Sequence, residues 1–403
     1  MKKICLTVVG MYLMLLHGYS QVTKDTTAFK RRKLQVDEIN LVSSYYMQNG
    51  DHSAVQGGIG SEKVTDLANG LEVKWVGWDA HERKNTLTAG LGIDLHTAAS
   101  QAFISKTGAS RRTNGTRVYP SLDWTRENEK KGTSFSLGAY YSSEFNYKSM
   151  GVSAGGTVKT RHNGELGLKL SGYFDQVKLI FPSEFEPAYP MSGGGRDDEE
   201  EHPDYGSSPR QTYTASFSFS QVINTRLQAS LLLDLVQQHG YLGLPFHRVY
   251  FTDGTDAVEN LPSSRFKVPL GLRLNYFLGD KVILRSYYRY YTDNWGVRSH
   301  TASLEVPVKV TPFFSVSPFY RYYVQTAADY FAPYAQHLKA DPYFTSNYSL
   351  SAFSSSFFGA GIRLAPPKGI FGSHLSALEV RYGHYTQTTD LISNVISLHL
   401  QFR

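Results

Sequence analysis

Val395-Ile396-Ser397-Leu398-His399-Leu400-Gln401-Phe402-Arg403 is the stretch from which the fold is read. Ile396, Leu398, Leu400 and Phe402 alternate with Ser397, His399, Gln401 and Arg403. Period-two alternation gives a strand one apolar and one polar face. A final strand with an aromatic beside its end has the form of the closing strand of an outer-membrane β-barrel, the element that the barrel assembly machinery reads.

The same pattern recurs upstream. In Arg265–Leu278, Phe266, Val268, Leu270, Leu272, Leu274 and Tyr276 share one face, opposite Arg265, Lys267, Gly271, Arg273 and Asn275. Gly279-Asp280 then supplies a hairpin turn, and Lys281–Thr292 returns with the same alternation. Repeated runs of about 9–14 residues exceed the usual strand of about 5–6 and suit a tilted strand crossing a bilayer. Short turns near Ala80–Asn85, Glu129–Gly132, Arg161–Gly164, Asn224-Thr225, Gly279-Asp280 and Thr311-Pro312 intersperse with long connections such as Lys178–Arg210, Tyr241–Ser264 and Gln325–Asn347. Such barrels have short turns on the periplasmic side and long loops outside. Counting back from 391–403 to 71–79 and 59–67 gives about 16 strands, within a bracket of about 14–18. An earlier alternating piece, Ile39–Met47, would be a seventeenth and break the parity. The expectation is an all-β transmembrane antiparallel barrel over 59–403, preceded by a periplasmic segment 21–58 that could enter the lumen.

Lys2 and Lys3, the apolar run Ile4–Leu16 and Gly18-Tyr19-Ser20 make residues 1–20 a secretory signal peptide. Its removal takes two lysines and no acid, lowering the net charge from +6 to +4, too mild a balance to argue for nucleic acid. Cys5, the single cysteine, falls inside the signal, so no disulfide, thiolate metal site or cysteine nucleophile is expected in the mature chain. The 28 Tyr and 23 Phe accompany a slightly negative mean hydropathy. A chain that spans by strands can have this profile, because polar lumen residues dilute the apolar ones.

Asp51-His52-Ser53-Ala54-Val55-Gln56-Gly57-Gly58-Ile59-Gly60-Ser61-Glu62-Lys63 resembles the opening signature of a Bacteroidetes-type outer-membrane β-barrel family of unknown function, domain of unknown function 3570. The resemblance extends over nearly the whole mature chain. It implies a barrel and an outer-membrane location, not an activity. It also implies genes beside exported thioredoxin-like and flavin-transfer proteins, although no residue here supports a redox role directly. Read physically, Gly57-Gly58-x-Gly60 lacks the following helix that a phosphate loop needs, and the glycines fit a tight bend into the first barrel strand. His52 and Ser53, adjacent in an extended chain, point opposite ways and make no dyad.

Arg265, Lys267, Arg273, Lys281, Arg285, Arg289 and Arg321 share the lumen-facing parity of consecutive strands, so one basic stripe is expected inside the barrel. Glu72, Asp94, Asp123, Glu127, Glu144, Glu165 and Asp175 face the lumen from earlier strands. Opposed walls of this kind either set a transverse field across a wet pore or pair off and plug it. The run Asp197-Asp198-Glu199-Glu200-Glu201, followed by His202, is the weak candidate for a hard metal ion such as calcium; a solvated loop is the plainer reading. Doublets such as Tyr140-Tyr141, Tyr287-Tyr288, Tyr290-Tyr291 and Tyr322-Tyr323 are read as interfacial belts; a carbohydrate platform would need aromatics on the loops or the lumen face. Histidines are scattered and no nucleophile motif stands out, so no enzyme and no cofactor are expected.

The sequence therefore leads to a porin-like channel for small solutes, with the basic stripe favouring anionic ones. The alternative is a closed barrel that binds a partner and anchors an exported complex, a redox-related one on what the resemblance implies. Outer-membrane lipid, lipopolysaccharide, the assembly machinery and a periplasmic or surface protein are the expected partners.

Overall fold

The computed structural model describes residues 32–97, 114–185 and 205–403. Residues 1–20, expected as a signal peptide, and the acidic run 197–201 lie outside the described residues. The staves in chain order are β1 (Arg32–Asn49), β2 (Val64–Trp78), β3 (Lys84–Thr97), β4 (Asn114–Asn128), β5 (Thr133–Glu144), β6 (Tyr147–Lys159), β7 (Gly164–Lys178) and β8 (Ser207–Asn224). They continue as β9 (Leu227–Gly240), β10 (Ser264–Leu278), β11 (Val282–Asp293), β12 (Arg298–Glu305, extended by Val308–Lys309), β13 (Phe314–Gln325), β14 (Phe353–Leu364), β15 (Leu375–Gln387) and β16 (Leu391–Phe402). Each pairs antiparallel with the next, and β1 pairs with both β2 and β16, so the sheet closes on itself with sixteen staves.

Closure leaves no strand edge unpaired, which is what lets a sheet sit in hydrocarbon. The alternation decides which face meets it. Leu231, Leu272, Phe358 and Ile396 are 40–50% exposed on the outer face. The opposite parity carries Glu72, Asp94, Arg273 and Gln401 inward. An apolar exterior around a polar interior is the inverse of a soluble protein and the pattern of a membrane barrel.

The predicted total of sixteen holds, but two of its members change. Ile39–Met47 belongs to β1, a full stave of 18 residues, so the barrel begins at Arg32 and the expected boundary at residue 59 is corrected. Ile39 lies opposite Phe402 and Asn49 opposite Ile392, so β1 is the strip that joins β16 to β2. The expected strands 59–67 and 71–79 are instead one stave, β2. Gly70 between them makes no turn: it faces the lumen, and a Cβ there would meet nothing within 4 Å.

The signature segment 50–63 is corrected as well. It connects β1 to β2 at the rim of the long connections, away from the barrel entrance. Gly57, Gly58 and Gly60 all have positive φ, of 76°, 89° and 82°. A Cβ on Gly57 would lie 2.5 Å from the Tyr250 ring, and one on Gly58 2.8 Å from the Ser346 backbone oxygen. The glycines are needed because loops distant in sequence press against this turn. His52 stacks on Tyr348 at 3.8 Å, and Arg248 Nη1 donates to the Val55 carbonyl at 2.6 Å.

These loops form a folded cap. Val55, Ile180 and Phe246 make its buried core, while Val249, Phe251 and Ala328 are buried nearby. Arg248, 2% exposed, is also bound by Glu184. Asn260 and Phe344 exchange backbone hydrogen bonds of 3.2 and 2.8 Å, joining the loop after β9 to the loop after β13. Glu259, buried beside His247 at 3.3 Å, accepts from Thr345 Oγ1 and from the Leu244 N–H. Gly58→Ala is expected to loosen this cap by about 1–3 kcal/mol, through a left-handed φ and a backbone clash. Faster proteolysis within the loops, with heat-modifiable barrel migration unchanged, is the signature to look for; unaltered loop protection would refute it.

Candidate functional site

The lumen wall is built from every second residue of each stave, so its chemistry follows from register. Arg273 lies opposite Tyr287, Tyr287 opposite Ser303, Ser303 opposite Arg321 and Arg321 opposite Phe357, giving one lateral row across β10–β14. Arg289 occupies the row on one side of it, opposite Gly271 and Thr301, and Arg285 the row on the other side, opposite Asn275 and Glu305. The predicted stripe is thereby brought onto one wall.

Its members are not equivalent. Arg265 donates to Asp293 at 2.9 Å and lies over the Trp295 ring at 4.3 Å, at the capped rim. Lys267 lies opposite Asp293 in register. Arg285 is 3.7 Å from Glu305, with half its side chain exposed. Arg289 keeps its Nε buried without a hydrogen-bond partner. Arg273 and Arg321 are exposed to the lumen and, among the described residues, have no ion-pair partner. Lys281 falls in the turn between β10 and β11.

Two arginines on this wall escape the sequence reading. Arg381 donates to Glu305 at 3.0 Å and Glu379 at 3.1 Å, and Arg363 lies 3.9 Å from Glu379. Their parity is visible in the sequence, but their interleaving with two carboxylates is not. A repeated device holds several of these cations. Arg321 lies 4.9 Å over the Phe357 ring, Arg381 5.2 Å over Phe319 and Arg273 5.8 Å over Tyr287. Beneath them, a Cβ on Gly383 would be 2.4 Å from Phe357, on Gly359 2.8 Å from Phe319, and on Gly271 3.0 Å from the Tyr287 hydroxyl. Glycine on one stave lets a neighbour's ring lie flat, and the ring carries a guanidinium.

The facing wall, from β2 to β9, contains the predicted acids but is mixed in sign. Asp94 accepts from Tyr119 Oη at 2.9 Å, Glu144 is 3.1 Å from His96, and Asp175 accepts from Arg210 Nε at 3.1 Å. Arg117 donates to Ser142 Oγ and Tyr140 Oη, each at 2.9 Å. Arg117 and Arg210 escape the sequence reading because the polar residues before them read as loop, whereas the staves already begin at Asn114 and Ser207. The aromatic doublets also divide: Tyr141, Tyr288 and Tyr322 are exposed on the outer face, while Tyr140, Tyr287 and Tyr323 take the inward parity. The belt reading is therefore corrected for one member of each pair, since adjacent residues of a strand must face opposite ways.

Among the described residues, no group of three or more His, Asp or Glu side chains could hold a metal ion. The Asp197, Asp198, Glu199, Glu200 and Glu201 candidate falls outside them.

The family model described as protein of unknown function (DUF3570) matches residues 84–394. No curated protein matches the chain. Among solved structures the chain is similar to OccK1 (OpdK) of Pseudomonas aeruginosa, at 9% identity and a TM-score of 0.41 over 91% of this chain and 97% of that one. It is similar to a BenF-like porin from Pseudomonas fluorescens Pf-5, at 8% identity and a TM-score of 0.43 over 91% and 98%. For OccAB3 of Acinetobacter baumannii the values are 9% and 0.42, over 91% and 98%.

Proposed function

The chain belongs to the DUF3570 family of proteins of unknown function, and from the lumen it encloses we propose that it is a porin-like outer-membrane channel for small anionic solutes. The observation that carries this reading is the pair Arg273 and Arg321, exposed on one lateral row of the lumen, stacked on Tyr287 and Phe357 and free of ion pairs among the described residues. A structural guanidinium would be expected to sit against a carboxylate, as Arg265 does against Asp293. Cations held flat and left uncompensated in a water-filled lumen instead bias the field toward anions. Arg285 and Arg289 extend the patch along β11. Arg265 and Lys267 contribute at its capped end, where Asp293 offsets them.

Export through the signal 1–20 and insertion by the assembly machinery of a Gram-negative, Bacteroidetes-type cell belong to the same reading. The short-turn rim then faces the periplasm and the cap faces outward, among lipopolysaccharide. No cofactor or catalysis is part of it. A second reading, a closed barrel that anchors a partner, draws on the cap, whose buried core draws together loops from several staves.

Single-channel recording on the purified protein in planar bilayers separates the two. The channel reading expects discrete conductance steps with a reversal potential shifted toward the chloride potential in a salt gradient. A heat-modifiable, properly folded barrel that passes no current would end it.

A further inference from the structure

The wall across β4–β9 differs from the stacked-arginine wall in a way that anion passage does not use. It borders a cavity of about 520 Å³ lined by both charged and aromatic side chains, within the range of small-ligand sites. Tyr173 lies across Gly151: a Cβ there would be 2.6 Å from the ring, so the glycine backbone covers one face of the phenol. Tyr173 itself lines the cavity. Tyr140 meets Tyr173 edge-on at 6.2 Å and 76°, and Arg117 fixes its hydroxyl.

The polar groups around this platform come in both signs. Arg210 is held by Asp175 and lies 4.9 Å over the Tyr147 ring; Asp123 and Lys169 line the same space. Asp175, 4% exposed, keeps its Oδ1 without a hydrogen-bond partner. An anion entering here meets two carboxylates, and a cation meets three bases. A neutral solute whose groups both donate and accept suits every one of them. A buried acceptor left without a donor is costly, and a ligand hydroxyl can supply one.

We propose that the β4–β9 wall is a saccharide subsite, with a pyranose ring stacked on Tyr173 and its hydroxyls bridging Asp123, Lys169, Asp175 and Arg117. A pyranose combines a flat C–H face with a rim of hydroxyls, which is the complement of an aromatic face ringed by fixed donors and acceptors. The doublet Tyr140-Tyr141 supplies the internal control, since Tyr141 points to the exterior and is 43% exposed there.

Calorimetric titration of the detergent-purified barrel with glucose, maltose and the open-chain hexitol sorbitol tests this without requiring conductance. Glucose and maltose are expected to bind, with sorbitol at least about tenfold weaker, because sorbitol keeps the hydroxyls and loses the flat face. Tyr173→Ala is expected to weaken maltose by about tenfold or more, Tyr173→Phe to retain it, and Tyr141→Ala to leave it unchanged. Heat-modifiable migration establishes that each variant is folded, and Asp123→Asn stands in if Tyr173→Ala does not assemble, with the same direction expected. Equal heats for maltose and sorbitol, no heat for any sugar, or equal losses in the inward and outward tyrosine variants would overturn the subsite. Sugar binding by a barrel that carries no current would keep the subsite and remove the channel reading; anion-selective current without sugar binding would do the reverse.

Discussion

Arg273→Glu combined with Arg321→Glu is expected to convert an anion-preferring lumen into one that prefers cations. Each replacement changes the local charge by two, and neither position has an ion-pair partner, among the described residues, to absorb the change. At about 10 Å, with an effective dielectric near 40, one charge acts on a permeant ion with about 0.8 kcal/mol. Salt at physiological strength screens most of that beyond about 8 Å. Four charge steps then leave about 1–1.5 kcal/mol, or about 5–10-fold in the permeability ratio. Reversal potentials in a potassium chloride gradient measure it directly. Arg285→Glu with Arg289→Glu should act in the same direction and more weakly, since Arg285 is already beside Glu305. A double reversal that leaves the reversal potential where it was would take the stacked arginines out of the mechanism.

The second large effect is expected in the cap. Arg248→Met removes the buried cation that joins Glu184 to the Val55 carbonyl, leaving the carbonyl without it in a buried place and Glu184 without it at a partly buried one. Breaking one partner of a buried pair costs about 3–5 kcal/mol. Because the staves do not depend on Arg248, the cost should fall on local opening of the cap, with the barrel intact. Limited proteolysis within 241–263 and 326–352 should then run many times faster while heat-modifiable migration persists; loops as resistant as in the parent protein would refute the assignment.

Acid should loosen the same structure by a different route. Burial pushes the Glu259 carboxyl up, but the adjacent His247 and the hydrogen bonds from Thr345 and the Leu244 N–H outweigh it and hold the group below the usual carboxylate range. A depressed folded-state value means that the opened cap binds the proton more readily. The contribution of Glu259 is therefore complete above the ordinary carboxylate pKa and is lost only as pH falls through the lower folded value. Loop protection that stays flat between neutral and mildly acidic pH and collapses in strong acid is the expected profile. In Glu259→Gln that acid step should disappear.

The terminal run Ile396–Phe402 and the hairpin Arg265–Thr292 were sufficient for the architecture, because period-two alternation over a dozen residues has one structural meaning. The inward parity of Arg273, Arg285, Arg289 and Arg321 came with it. Glycine is ambiguous in a one-dimensional reading. Gly70 looks like a break and is a lumen-facing stave residue, whereas Gly57 and Gly58 look like a bend into the barrel and are the floor under Tyr250 and Ser346. Whether a glycine turns the chain or makes room for a neighbour depends on the neighbour, and that neighbour is on another strand.

What the chain determines alone is a rolled sheet, its apolar exterior and the inward side of each charged residue, since those depend on local periodicity and on the need to pair every backbone group. Which cations stay uncompensated was decided only in three dimensions. Arg265 and Arg321 have the same parity and the same chemistry, yet one is tied to Asp293 and the other lies on Phe357. Such partners are brought together by inter-strand register and by loops meeting over a rim, through contacts between residues far apart in sequence that no local pattern encodes.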